Sequence, residues 1–452
     1  MSTVALPRQL VAPIPIHGDD RLKSSSVKIL AANANSTYSP TSGNRIVFNV
    51  PSFSSKVFIN PQRSYLSFNI KKTGTAADSR LVDGLPWIDR MTLKMGGGTM
   101  VEDLQNYALL ERLESLYESS DNAEGRATLT GDFSDVLRKY SNGSGLKAET
   151  ILDKAIAQQA AGRNYVKPLL SGVIGKNQQF YVPVGMLNAS GSQAIQLEIF
   201  LAPNNQVVTR NTSVTDSPGY ELSEVALYLE VVELPERAVK IFNSAVLGGG
   251  TVKLPYKTVR SFQQHIPSGQ THIDFNIVEN SKDCEKVMVA LRQQSKVSGY
   301  TTADVNGATE DCFALRGGEN SGTVLSKYQF RYGTEQFPPA PVEVRDNAGT
   351  TPAILHGLSS CDMLNKSTRL TSLDIDGAPV FENNGFFIAQ GFKTSDDNME
   401  NGLNTAVGGA PIELKLDLSA NNTDISMFAF VRSNYSLNIG TNGSVRMTEG
   451  SH

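Results

Sequence analysis

Apolar and polar residues alternate one for one in segment after segment of this chain, and that period of two limits its possible folds more than any other feature. Ile412, Leu414, Leu416 and Leu418 interleave with Glu413, Lys415 and Asp417. The same rhythm carries Ile46, Phe48 and Val50; Leu66, Phe68 and Ile70; Ile195, Leu197, Ile199 and Leu201; and Val225, Leu227, Leu229 and Val231. It returns through Phe262 and Ile266, then Ile273, Phe275 and Ile277, then Val287, Val289 and Leu291, then Tyr328, Phe330 and Tyr332. Met427, Ala429 and Val431, followed by Tyr435, Leu437 and Ile439, close the series. Successive side chains of a strand point to opposite faces, so each segment reads as a strand with one buried face. Many short strands with turn-rich spacers predict antiparallel β-sandwiches.

Helical patterns are few and read as insertions. Thr99 and Glu102 have the spacing of a capping box, and Leu109, Leu113 and Leu116 then mark a stripe, so a helix is expected over 99–117. A second is expected over 146–161, with Gly162 as its C-cap. Thr351 and Pro352 read as an N-cap and first helical position, with Ile354, Leu358 and Cys361 on one face. The expected fold class is all-β with short helical insertions.

A length of 452 residues allows two or three domains and leaves ample material for a core. We expect a flexible N-terminal arm over 1–43, a first sandwich with a helical insertion over 44–235, a second with long surface loops over 236–445, and a short C-terminal tail over 446–452. The arm contains Pro7, Pro13 and Pro15 and is mildly basic, Arg8, Arg21, Lys23 and Lys28 facing Asp19 and Asp20. The seam between sandwiches is placed in 234–250. The stretches 295–323 and 394–410, polar and poor in large apolar residues, read as outward-facing loops. With 40% hydrophobic and 19% charged residues the chain reads as globular. Its formal net charge of −4 argues against a dedicated nucleic-acid binder. Three cysteines, Cys284, Cys312 and Cys361, provide no disulfide framework, so folding in a reducing compartment is expected. No signal-peptide pattern or membrane-length apolar run is read in the sequence.

Chemistry-bearing motifs are sparse. There is no phosphate-binding loop, since 172–176 lacks the spacing, and no Gly-x-Ser-x-Gly elbow. The glycine triplets 96–98 and 248–250 read as turns. His265 and His272, with Cys284 as the nearest thiol, lack the close ligand pairing of a zinc site. Asp374 and Asp376 precede Gly377 too early for a calcium loop. Glu221 with Glu224, and Asp396 with Asp397, read as solvated charge, and Cys312 with His356 lacks an identifiable third partner. No catalytic, cofactor-binding or metal-binding residue is therefore assigned, no cofactor is expected, and the chain is not expected to be an enzyme.

The order of elements carries a resemblance. The segment "NRIVFNVPSFSSKVFINPQRSYLSFNI" (44–70) resembles the opening strands of double jelly-roll major capsid proteins of the polinton-like virus, virophage and adenovirus-like lineage. So does "LSKYQFRYGTEQFPPAPV" (325–342) in a second roll, and "GFFIAQGFK" (385–393) followed by "PIELKLDLS" (411–419) resembles the last strands of that roll. The resemblance implies two consecutive eight-stranded jelly-roll β-sandwiches and a homotrimeric, pseudo-hexameric capsomer of an icosahedral virion. Implied partners are copies of the chain, penton and minor capsid proteins, with an internal membrane left open and no specific nucleic acid. Two other readings stand beside it. One is another structural protein, such as a spike, fibre or minor capsid component, for which no regular repeat is seen. The other is a carbohydrate-binding or carbohydrate-cleaving sandwich, for which the single Trp, Trp87, offers little.

Overall fold

The computed structural model describes residues 23–33, 35–51, 53–74, 79–116, 126, 128–132, 161–176, 180–187, 195–209, 217–236, 239–240, 251–299, 323–344, 351–364, 366, 368–369, 386–393, 402–407, 409–440 and 443–449. In chain order the strands of its first half are β1 (Lys23–Leu30), β2 (Arg45–Val50), β3 (Val57–Thr73), β4 (Ile88–Met95), β5 (Thr99–Gln105), β6 (Arg163–Pro168), β7 (Ile195–Leu201) and β8 (Gly219–Glu233). They pair antiparallel into two four-stranded sheets, ordered β1-β8-β3-β6 and β2-β7-β4-β5.

The second half supplies β9 (Thr251–Ile266), β10 (His272–Ile277), β11 (Cys284–Gln293), β12 (Thr323–Tyr332), β13 (Glu335–Glu343), β14 (Ile388–Gly391), β15 (Ile412–Asn421), β16 (Ile425–Gly440) and β17 (Val445–Glu449). One sheet runs β10-β15-β12-β13; in the other β16 joins β9 to β11, and β11 pairs β14. Numbered from its own first strand, the second set repeats the order of the first, 1-8-3-6 facing 2-7-4-5. That order is the jelly roll, two interlocked Greek keys that bring first and last strands together. The chain is therefore a double jelly roll, with β17 added along β16 beyond the end of β11.

The alternation seen in sequence sets the registers. Ile46, Phe48 and Val50 of β2 lie opposite Ile199, Leu197 and Ile195 of β7, and all six are buried. In the second roll Phe275 and Phe330 flank Leu414 from β10 and β12. Trp87 is wholly buried and meets the Phe68 ring edge-on at 5.0 Å. Residues of both rolls join one continuous apolar core.

Five short helices are described: α1 (Tyr107–Ser115), α2 (Val184–Leu187), α3 (Asn204–Val207), α4 (Gln294–Ser298) and α5 (Thr351–Ser360). The helix expected over 99–117 is corrected in its first half. Residues 99–105 are a strand paired with β4, and only 107–115 are helical. The capping-box spacing is coincidental: the Thr99 hydroxyl donates to the Val445 carbonyl at 3.4 Å, and the Glu102 carboxylate accepts from Gly172 N at 2.7 Å. Asn106, in the left-handed region at φ 52°, makes the turn from strand to helix. The helix expected over 146–161 lies outside the described residues, apart from 161. Thr351 and Pro352 do open a helix, one residue earlier than the capping pattern implied.

Two boundary expectations are also corrected. Residues 23–43 belong to the first roll: Lys23–Leu30 pairs along Ala226–Glu233 of β8, and the Tyr38 backbone exchanges two 2.8 Å hydrogen bonds with Leu222. Residues 1–22 lie outside the described region. Far from forming a tail, 445–449 pair with Tyr435–Ile439. The stretch 394–410 is no free loop at its described end. Leu403 exchanges 2.9 Å backbone bonds with Cys284, and the buried Thr405 hydroxyl bonds Ser281. Residues 300–322 and 394–401 lie outside the description, as do most of 234–250.

Candidate functional site

The two like sandwiches meet along a joint formed by strands and turns of both. Strand β5, the edge of one first-roll sheet, lies against β9 and β17 of the second roll. The Tyr256 hydroxyl donates to the Val101 carbonyl at 3.2 Å across this joint. Gly172 is pressed on β9 so closely that a Cβ there would fall on the Lys257 carbonyl. At Gly96, where φ is +56°, a Cβ would strike the Val445 side chain. Asn205 of α3 donates to the Val297 carbonyl of α4 at 3.2 Å.

Charge is concentrated in the same joint. Glu114 of α1 pairs both with Lys176 and, across the rolls, with Arg432 of β16. Arg369 of the second roll grips Asp132 of the first through both oxygens, at 2.8 and 3.4 Å, and its side chain is 3% exposed. Such a fork holds distance and angle together, which a lysine cannot do. Beside them Glu285 accepts from Lys257 at 2.8 Å and lies 3.4 Å from Lys393. Burial alone would raise its carboxyl, but the Lys257 hydrogen bond and the surrounding cations hold it below its ordinary value. A cavity of about 220 Å³ opens between α1 and the 166–170 segment, lined by Glu111, Glu114, Asp132, Lys167 and Lys176 among others. There Lys167, 3% exposed, donates to Glu111 at 2.5 Å and to the Gly84 carbonyl at 3.0 Å.

Beneath the joint lies a buried acid, Glu102. Glu102 is 2% exposed and accepts from the Ser171 hydroxyl and from Gly172 N. Burial pushes its carboxyl up to about 7 against the pull of those hydrogen bonds.

The residues weighed from sequence are not brought together. His265 lies in β9 opposite Ser426, whereas His272 lies in β10, with Nδ1 2.6 Å from Asp417. Cys284 is buried, and burial first, then Glu279, raises its thiol far above the ordinary range, which makes it inert. Among the described residues no cluster of His, Cys, Asp and Glu could hold a metal. Glu221 faces solvent opposite Lys71, and Glu224, at φ 53°, sits at an irregularity between β3 and β8. His356 accepts or donates at Nδ1 to the Tyr328 hydroxyl at 2.9 Å, while Cys312 lies outside the description. The 374–377 and 396–397 acids and the 248–250 glycines also lie outside it; Gly96–Gly98 forms the turn between β4 and β5. Sequence reading missed Glu114, Asp132, Arg369 and Arg432, and gave Glu102 only a capping-box role. Their partners stand 62 to 318 positions away, so no local pattern exists to reveal them.

No protein-family model and no curated protein sequence matches the chain. Solved structures do. The capsid of PBCV-1 virus superposes with a TM-score of 0.60 at 10% identity, over 95% of this chain and 97% of that one. The Sputnik virophage structure follows at 0.58 and 10% identity, over 100% and 94%. The Faustovirus major capsid protein matches at 0.58 and 8% identity, over 95% and 93%. Likeness at such identity is likeness of fold, and it bears out the double jelly roll over nearly the whole of both partners.

Proposed function

We propose that this chain is the major capsid protein of an icosahedral virus and that it assembles as a homotrimer. The observation that carries this reading is the same strand order twice over in one chain, with the two rolls locked side by side by the seam. Three such chains present six similar lobes, a near-hexagonal tile made from one gene product. Capsid structures of the same fold, matched over nearly the entire chain, support the reading. In this reading the chain resides in the virion, and its partners are neighbouring copies, penton and minor capsid proteins, and whatever lies beneath the shell, an internal membrane included. Its work is done by contact surfaces rather than by catalysis.

Native mass measurement tests it. The expected species is three times 48.8 kDa, about 146 kDa. Electron microscopy should then show a three-fold particle with six lobes. A monomer over a wide range of concentration would overturn the trimer, and a filament would favour a fibre component instead.

A further inference from the structure

The cavity beside α1 has walls of two kinds. Ala108, Val166, Pro168 and Leu170 line it with apolar atoms, while charged side chains of α1, β6 and the 126–132 segment line it elsewhere. Its volume of about 220 Å³ is several times the ~30 Å³ that one water occupies in the liquid. It falls short of the pockets of about 300–1,000 Å³ that enclose drug-sized molecules.

The charges around it are matched except at one place. Lys167 is taken by Glu111, Lys176 and Arg432 share Glu114, and Arg369 holds Asp132. Asp83 and Arg126 are engaged as well. Arg112 is not: among the described residues its guanidinium has no hydrogen bond and no ion pair, and its Nε is buried without an acceptor. Its place in the last turn of α1 suits a cation facing the helix dipole. That accounts for a positive charge there, but not for a guanidinium left unpaired beside a cavity.

The walls are held open. Lys167 ties the Gly84 carbonyl, and Gly84 N donates to the Gly131 carbonyl at 3.2 Å. Between Gly84 and Pro86, both on the wall, Leu85 is buried and keeps φ at +49°, with Gly131 packed against its side chain. A non-glycine residue in the left-handed region persists only where its surroundings fix it, and such residues gather at ligand sites. The Arg369 fork on Asp132 fixes the opposite side.

We propose that this cavity binds a small amphiphilic carboxylate, its carboxylate on the Arg112 guanidinium and its hydrocarbon body against Ala108, Val166, Pro168 and Leu170. Such a ligand sits within the single chain, with or without a shell around it. The chemistry selects the class. An arginine fork matches the two oxygens of a carboxylate. Asp83, Glu111, Glu114 and Asp132 already line the cavity, so a single negative charge is accepted more readily than the two of a phosphate monoester. A cation would meet Arg112, and a polyol would leave the apolar wall unused. Burial raises the Glu111 carboxyl in spite of Lys167, in keeping with a site shielded from bulk water.

Calorimetric titration of the intact protein with sodium hexanoate near neutral pH tests the site. Saturable binding at one site per chain is expected, and neither hexylamine nor inorganic phosphate should displace the hexanoate. Arg112→Gln removes the fork and should weaken hexanoate at least about tenfold, as the loss of a charge-assisted hydrogen bond does. Val166→Phe fills the apolar wall, leaves Arg112 in place and should weaken hexanoate by a similar factor, which serves if the Gln variant folds poorly. Phosphate competing as well as hexanoate would show that charge alone is read. Equal affinity in both variants would place the ligand elsewhere, and no saturable binding in the millimolar range would leave the cavity to water. Each of these three results overturns the proposal.

Discussion

Gly172 shows what a single residue contributes to the seam. It has no side chain, and the space a Cβ would need is already filled by the Lys257 carbonyl and approached by a Glu102 oxygen. Gly172→Ala must therefore either push the turn off β9 or displace β9 itself. Overpacking of this kind costs about 1–3 kcal/mol. The variant should fold, unfold several degrees lower in a thermal scan, and lose hydrogen-exchange protection at 251–258 before the rest of the sheet. An unchanged melting temperature would mean that the contact is slack. Residues of this type are illegible in sequence. Gly172 belongs to a short glycine-containing run that invites a phosphate-loop reading, and nothing local reveals that a strand 85 positions onward lies upon it. Arg432 and Glu114 are hidden for the same reason: each is an ordinary charged residue until the fold places them together. By contrast the burial of Phe48, Leu66, Leu197 and Leu414 was legible at once, because alternation is local information.

At the scale of the element, legibility follows how strongly a strand alternates. Strands buried on one face, such as β2, β7, β10 and β15, announce themselves. β1 does not. Its sequence Lys-Ser-Ser-Ser-Val-Lys-Ile-Leu carries only Val27 and Ile29 toward the core, and Ser24 and Lys28 spend themselves on Glu230 and the Tyr228 ring. Backbone pairing along β8, rather than hydrophobicity, makes it a strand. β5 was obscured by a capping-box pattern whose Thr and Glu found other partners. β13 carries Pro338, Pro339 and Pro341, tolerable because it lies at a sheet edge. The recovery of β1 changes what truncation should do. Removing residues 2–22 should leave a soluble, cooperatively folded protein. Extending the deletion through residue 40 strips β1 from the first roll, uncovers Leu227 and Leu229, and removes Tyr38 from the core. That longer variant should be insoluble or lack a cooperative transition by circular dichroism. Equal stability of the two truncations would show that β1 is dispensable, and the first roll would then tolerate an open edge.

For the whole molecule the question is whether two rolls make one body because they are tethered or because they fit. A tether alone leaves domains free to move. The seam is built from independent parts: Gly96 against Val445, Gly172 against β9, Arg369 on Asp132, Arg432 on Glu114 and Asn205 on Val297. Packing and ion pairs respond differently to salt, since surface charge is screened within about 10 Å at 0.1 M whereas close-packed contacts are not. A protease site placed between residues 244 and 246 therefore separates the two causes. After cleavage the halves should still migrate as one particle in size-exclusion chromatography at pH 6 and ordinary salt, and should remain together at 1 M salt if packing dominates. Parting only at high salt would assign the joint to the charged pairs. Parting at ordinary salt would show that the peptide connection, and not the fit of the two surfaces, holds the rolls together.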